Sequence, residues 1–227
     1  MDIIEAIRKR KTYRGYKTDS ISKDVLMEIM KLAIRAPSWA NTQPWEFAVV
    51  TGKKLEAIRQ EFTKLAETEE PNPDLAFPRV FPDPYRSRLP AMRRGPDADK
   101  IRDDNELRKE RQLMGARMYN CPCVIYLYTE RAFYTQEDKG LNVYPVFDCG
   151  LAAENIMLAA VNYGLGTTAA AQAVPYPDVI RKALGLPKSK LIVLGIFIGY
   201  PDPTAPQYPV YSAREPLEDL VKFYGFE

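Results

Sequence analysis

Apolar residues along this chain recur in two periods, one helical and one strand-like, and the switches between them mark out its elements. Asp2 stands where it can cap a short helix with Ile3, Ile4, Ala6 and Ile7 on one face. Ser22 opens a second helix. Val25, Leu26, Ile29, Met30 and Ala33 follow at helical spacing until Pro37 stops it. Residues 46–51 read as a strand. Residues 53–67 read as a helix with Leu55, Ile58, Phe62 and Leu65 on one side. From 69 to 100 the period is lost among Pro, Arg and Asp, which predicts an irregular, lid-like excursion. Helical character returns over 103–118, so the whole insertion covers about 69–115. Strands follow at 124–128, 166–171 and 191–198, helices at 146–163 and 177–184, and a short tail helix at 216–223. This alternation predicts one domain over 1–227, a central sheet flanked by helices.

Composition narrows the chemistry. With 227 residues the chain can bury a substantial core. Lys plus Arg is 32 against 30 for Asp plus Glu, a net charge of +2, which gives no support for a nucleic-acid or membrane surface as the main partner. No uncharged apolar run is long enough to span a bilayer. Three cysteines, in no CxxC pattern, fit a reducing compartment, and the acidic start lacks a signal peptide's charge, so a cytoplasmic protein is expected. Histidine is absent, which removes Ser-His-Asp and Cys-His catalysis and imidazole-dependent zinc sites. No metal site is expected.

Five constellations remain. Arg10, Thr12 and Arg14 are two apart, so in extended backbone they point the same way. Two guanidinium forks and a hydroxyl suit a phosphate dianion; equally, basic residues after a helix favour its dipole and sit in water. Ala36-Pro37-Ser38-Trp39-Ala40-Asn41-Thr42-Gln43-Pro44-Trp45 combines rigid apolar surface with fixed donors and acceptors, as a loop holding a flat, heteroatom-rich ring would. It can also be a stiffened connection with both Trp side chains in the core. Gly164-Leu165-Gly166-Thr167-Thr168-Ala169-Ala170-Ala171 ends a helix and enters a strand with small side chains that let a ligand approach. It lacks the third glycine and following helix of a dinucleotide fingerprint. The small residues Cys149, Gly150, Ala152, Ala153, Ala159 and Ala160 permit close helix packing, within a subunit or across a dimer. Arg214 precedes Glu215-Pro216-Leu217 and, alone, reads as a surface arginine.

In their order along the chain, these pieces resemble the nitroreductase family of FMN-dependent oxidoreductases. Arg10-Lys11-Thr12-Tyr13-Arg14-Gly15-Tyr16 is similar to the family's opening Arg-basic-Ser/Thr-x-Arg-x-aromatic motif. Ala36-Pro37-Ser38 with Asn41-Thr42-Gln43-Pro44-Trp45 is similar to its Ala-Pro-Ser and Asn-x-Gln-Pro-Trp loop. Gly164-Leu165-Gly166-Thr167 is similar to its Gly-Leu-Gly-Thr turn, and Arg214-Glu215-Pro216-Leu217 to its Arg-x-Pro-Leu. The resemblance covers nearly all the chain outside 69–115.

The resemblance implies an α+β fold, an antiparallel-rich central sheet flanked by helices, in an intertwined homodimer with two FMN sites at the interface. It implies that Arg10, Lys11, Thr12 and Arg14 hold the phosphate and ribityl end of FMN, joined by Arg214. Pro37, Ser38, Trp39, Asn41 and Gln43 of the partner subunit would line the isoalloxazine, and Ala170 or Ala171 would offer a backbone N–H toward flavin N5. NADH or NADPH would reduce the flavin, and an aromatic acceptor such as a nitroarene or quinone would take the electrons in ping-pong fashion. Phe81, Tyr85, Arg86, Arg88 and Arg93 of the excursion could offer stacking and charge to an aromatic or anionic substrate, or be scattered on a solvated loop. Two departures stand out: Ser212 occupies a position that is often basic, and Ala169-Ala170-Ala171 lacks bulkier or polar side chains. A flavin carrier without turnover, or dehalogenation or dehydrogenation on the same scaffold, is also compatible with these motifs. An interaction module built on Arg8-Lys9-Arg10-Lys11 is disfavoured by the near-neutral charge balance.

Overall fold

A computed structural model describes residues 1–94, 104–136, 140–205 and 210–226, with backbone only for 90–94, 108, 111, 210 and 211. The helices are α1 (Ile3–Lys9), α2 (Lys23–Ala33), α3 (Gly52–Thr68), α4 (Asn105–Ala116), α5 (Arg131–Tyr134), α6 (Tyr144–Asn162), α7 (Pro177–Leu184) and α8 (Leu217–Leu220). The strands are β1 (Glu46–Thr51), β2 (Met92–Arg94), β3 (Cys123–Glu130), β4 (Thr135–Gln136), β5 (Gly140–Leu141), β6 (Gly166–Ala170), β7 (Lys190–Gly199) and β8 (Val210–Ser212).

The centre is a four-stranded sheet, β1-β3-β7-β6, antiparallel throughout, with Val50 opposite Val124, Ile125 opposite Ile196 and Thr168 opposite Phe197. Strand β3 is buried from Cys123 to Thr129, which explains its unbroken apolar run. Its side chains alternate between two cores. Cys123, Ile125 and Leu127 pack with Leu26 and Ile29 of α2 and Ala152, Ile156 and Ala160 of α6. Val124, Tyr126 and Tyr128 pack with Leu55, Ile58 and Phe62 of α3 and Ile180 of α7. The result is three layers with the sheet in the middle.

Caps agree with the sequence: Asp2 accepts from the Ile4 amide at 3.2 Å and Ser22 from the Val25 amide at 3.3 Å. The small side chains of α6 serve packing inside the subunit, since Cys149, Ala152, Ala153, Ala159 and Ala160 are all buried, while Gly150 faces outward. On the apolar face of α1 only Ala6 is buried; Ile3, Ile4 and Ile7 are each more than half exposed among the described residues. One expectation is corrected. The tail helix is limited to Leu217–Leu220, and Phe223, Tyr224 and Phe226 extend into solvent.

The excursion is irregular but tied down at its start. Asp74, with a side chain 9% exposed, accepts from Arg131 Nη2 and from the Ile192 amide, both at 2.8 Å, and pairs with Arg181. Arg181 is itself buried and spans to Asp178 and to the Lys190 carbonyl. One carboxylate thus joins the excursion to α5, α7 and β7. Residues 95–103, inside the predicted insertion, lie outside the described set.

Replacing Asp74 by Ala would leave the buried Arg181 with less than its full set of partners. We expect a loss of about 3 kcal/mol in urea-unfolding stability with an unchanged m-value. Burial also pushes the thiols of Cys121 and Cys149 up to about 12 and raises that of Cys123. All three should resist a thiol reagent at pH 8 in the native state and react only on denaturation.

Candidate functional site

The basic segment after α1 is strapped to the edge of the sheet. Thr12 bridges Thr167 in parallel fashion and the Tyr13 amide donates to the Thr167 carbonyl at 3.1 Å. The Tyr13 carbonyl accepts from the Tyr16 hydroxyl at 2.7 Å and from the Thr168 hydroxyl. Burial raises the Tyr16 phenol well above its ordinary value, so it stays a neutral donor. The Tyr13 ring lies against Gly166, where a Cβ would fall 2.7 Å from it. Two of the predicted clusters, residues 10–14 and 164–171, are therefore one structure.

Within that strap the two arginines are treated differently. Arg10 Nε reaches Glu154 of α6 at 3.4 Å. Arg14 is 8% exposed, and its Nε and Nη1 are buried with no hydrogen-bond partner. Its guanidinium lies 5.9 Å from the centroid of the Tyr119 ring. A buried cation with two free donors has a substantial desolvation cost, so something acidic belongs there. Lys11 is exposed and Thr12 partly buried.

Beyond the strap, β6 ends at Ala170, which is 1% exposed, and Ala171 is at the surface. The turn over residues 171–173 crosses β7 so closely that a Cβ on Gly195 would sit 2.2 Å from the Ala173 methyl. A cleft of about 290 Å³ opens beside this turn, lined by Phe77, Gln112, Ala116, Ala171, Gln172 and Tyr176 among others.

The 36–45 loop divides its tryptophans. Trp45 is core, at 7% exposure, whereas Trp39 is 57% exposed. Trp39 is nevertheless fixed: its amide donates to Asp148 Oδ2 at 3.1 Å and its ring lies 5.7 Å from that of Tyr144. Tyr144 and Asp148 are four apart on α6 and so share a face. Ser38 Oγ accepts from the Gln43 amide at 2.9 Å, and Gln43 Nε2 reaches back to Asn41. Ala40, Asn41 and Gln43 all have left-handed backbone with φ of 48°, 57° and 46°. The loop is a rigid, outward-facing polar and aromatic edge. Pro37 is exposed beside it.

The third group joins the excursion to the tail. Strand β2 pairs with β8, and Arg88 Nε lies 3.7 Å from Glu215. Arg88 also stacks on Tyr85, 5.3 Å from its centroid, and Phe81 and Tyr85 are exposed. Arg214 is exposed and donates to the Ser212 and Ala213 carbonyls at the end of β8. Arg86 opens the 3-10 turn over Arg86–Ala91, and the Arg93 side chain lies outside the described set. One subunit therefore presents three surfaces: the strap with Ala170 and Ala171, the Trp39 loop, and the Tyr85–Arg88 tip with Arg214.

Sequence reasoning missed Asp148, Tyr144 and Tyr119. Asp148 left a signal, being the single charge in the apolar run from Tyr144 to Ala153. Tyr119 left none, because its contact with Arg14 spans 105 residues of chain (119 − 14).

Comparison with known proteins shows the class of protein to which this fold belongs. The model of the Nitroreductase family matches residues 7–200, and the chain belongs to that family. It is 29% identical to a nitrobenzene nitroreductase from Ectopseudomonas oleovorans, across 97% of this chain and 96% of that protein. It is 28% identical to the nitroreductase NfnB of Mycolicibacterium smegmatis, across 96% of this chain and 90% of that one. In three dimensions it superimposes on the FMN- and NADPH-dependent nitroreductase NfnB of Sphigopyxis sp. strain HMH with a TM-score of 0.86, at 24% identity and full coverage of both chains.

Because the Tyr13 ring rests on Gly166, Gly166→Ala should force the strap off β6. We expect a stability loss of about 1–3 kcal/mol, as for other overpacked sites. Amide exchange at Tyr13 should accelerate more than exchange in β3.

Proposed function

We propose that this chain is an FMN-dependent oxidoreductase that passes reducing equivalents from NADH or NADPH to an aromatic acceptor, a nitroarene or a quinone. It does so as a cytoplasmic homodimer. The observation that carries this reading is Arg14, whose buried Nε and Nη1 have no hydrogen-bond partner among the described residues. That is what a site for an anionic or carbonyl-rich ligand leaves behind when described without it, so the residues present fit FMN.

Arg10, Lys11, Thr12 and Arg14 hold the phosphate and ribityl portions, with Arg214 contributing from the tail. Pro37, Ser38, Trp39, Asn41 and Gln43 of a second subunit face the ring system, and a backbone amide at Ala170 or Ala171 donates toward it. FMN, when bound, supplies the hydride chemistry. The chain's own residues position, desolvate and bias that chemistry. Positive charge and N–H donors stabilise negative charge on the ring, and Trp39 excludes water from its face. Phe81, Tyr85 and Arg88 offer a stacked cation and aromatic surface to the acceptor.

The second subunit is supported by what one chain leaves uncovered. Ile3, Ile4 and Ile7 of α1, Tyr144 and Phe147 of α6, and Leu217, Leu220, Phe223 and Phe226 of the tail are all exposed. Fully burying one exposed side chain of this kind contributes about 1.5–3 kcal/mol, so covering these half- to mostly exposed ones together would contribute about as much as the net stability of an ordinary domain. The relatives support the acceptor class, since the first of them is named for reduction of nitrobenzene.

The test is direct. Purified protein should show oxidised-flavin absorbance that bleaches anaerobically with NADH or NADPH and recovers on adding a nitroarene or quinone. Colourless protein that takes up no added FMN would sink the proposal. Arg14→Met separates binding from folding. It should leave the apoprotein's Tm unchanged or higher, because an unpaired buried cation is gone. It should weaken FMN binding by about thirtyfold or more through lost charge-assisted hydrogen bonds.

A further inference from the structure

Residues Met118, Tyr119 and Asn120 form a turn of unusual backbone. All three have left-handed φ, at 55°, 50° and 53°, and none is glycine. Non-glycine residues are strained in this region, so the turn persists only if its surroundings impose it. They do. Arg59 of α3 donates Nε to the Arg117 carbonyl at 2.9 Å and Nη2 to the Cys121 carbonyl at 2.7 Å, clasping both ends of the turn. Met118 is fully buried beneath it.

The product of this strain is one orientation. The Tyr119 side chain is driven inward to 6% exposure, edge-on to Phe197 with ring centroids 6.1 Å apart. Its face is turned to Arg14 at 5.9 Å. An ordinary right-handed turn would send the side chain elsewhere. The guanidinium of Arg14, which makes no hydrogen bond through Nε or Nη1, therefore has an aromatic face as its described support.

We propose that the Arg59-clasped turn is a positioning device for the flavin site. Tyr119 acts as a positioning residue whose ring face fixes the direction of Arg14 and partly offsets its buried charge before FMN arrives. The inference rests on FMN as the ligand of Arg14. It deepens that reading by assigning a role to residues outside the strap, the Trp39 loop and the tail. A preset guanidinium loses less freedom on binding than one that must be ordered by the ligand.

The experiment measures FMN dissociation constants on deflavinated dimer by quenching of FMN fluorescence, for wild type, Tyr119→Phe, Tyr119→Leu and Arg59→Met. Phe keeps the ring face and removes the hydroxyl, so its affinity should stay within about twofold of wild type. Leu removes the face, and affinity should fall about tenfold, the size of a desolvated cation–π contact. Arg59→Met should produce a loss in the same direction, and its effect should not add to that of Tyr119→Leu, since both act through one turn. Should Tyr119→Leu fail to fold, Arg59→Met and Tyr119→Phe still decide. Equal affinity of Arg59→Met and wild type overturns the proposal, as does a tenfold loss in Tyr119→Phe. A Tyr119→Leu protein that loses Tm but binds FMN like wild type also overturns it, because the ring would then be packing alone. Wild-type protein that binds no FMN instead sinks the functional reading itself, so the two failures are distinct.

Discussion

Everything at the candidate site depends on one backbone carbonyl. The oxygen of Tyr13 accepts from both Tyr16 and Thr168 and so welds the segment after α1 to the edge of β6. Without that junction Arg10 and Arg14 would be basic residues trailing from a helix end. With it they become the rim of the sheet, beside the strand whose end carries Ala170 and Ala171. The central sheet supplies the rigidity: β3 and β7 are buried on both faces, and β6 is held by its ladder to β7. The hydroxyls at the junction are largely shielded from water, which strengthens the electrostatics of each bond.

Stability and site formation pull in opposite directions here. The strap buries Arg14 without giving it a hydrogen-bonded counterpart, and two loops hold non-glycine residues in left-handed backbone. These are costs to the folded chain. They are tolerated because the two cores are apolar and well packed, with Phe62, Ile58, Ile29 and Ile156 fully buried. Asp74 shows the complementary strategy: a carboxylate answered by two arginines and an amide, tying loop to framework with its own polarity satisfied.

Much of the architecture could be read directly from the chain. Strand 46–51 and helix 177–184 have the bounds expected of them, because Pro44 and Gly52 mark the ends of the one and Pro177 and Gly185 those of the other. The motifs at 10–14 and 164–171 were visible as chemistry, but their contact was not, since it depends on a parallel bridge 155 residues long (167 − 12). At α1 periodicity reported an apolar face and said nothing of what covers it. The excursion concealed Asp74 for a different reason: a hub residue in irregular chain has no period to betray it. Trp39 and Trp45 looked alike in sequence and differ in burial because the left-handed residues Ala40, Asn41 and Gln43 turn the chain between them.

Among the described residues, all six non-glycine positions of positive φ fall in just two loops, Ala40, Asn41 and Gln43 in one and Met118, Tyr119 and Asn120 in the other. Both loops border the candidate site. This places a filter on divergence that has nothing to do with ligand chemistry. At these positions a β-branched replacement is excluded by the backbone whatever its side chain might offer a substrate. Substitution at the two loops is then confined to the few residues that a left-handed turn accepts.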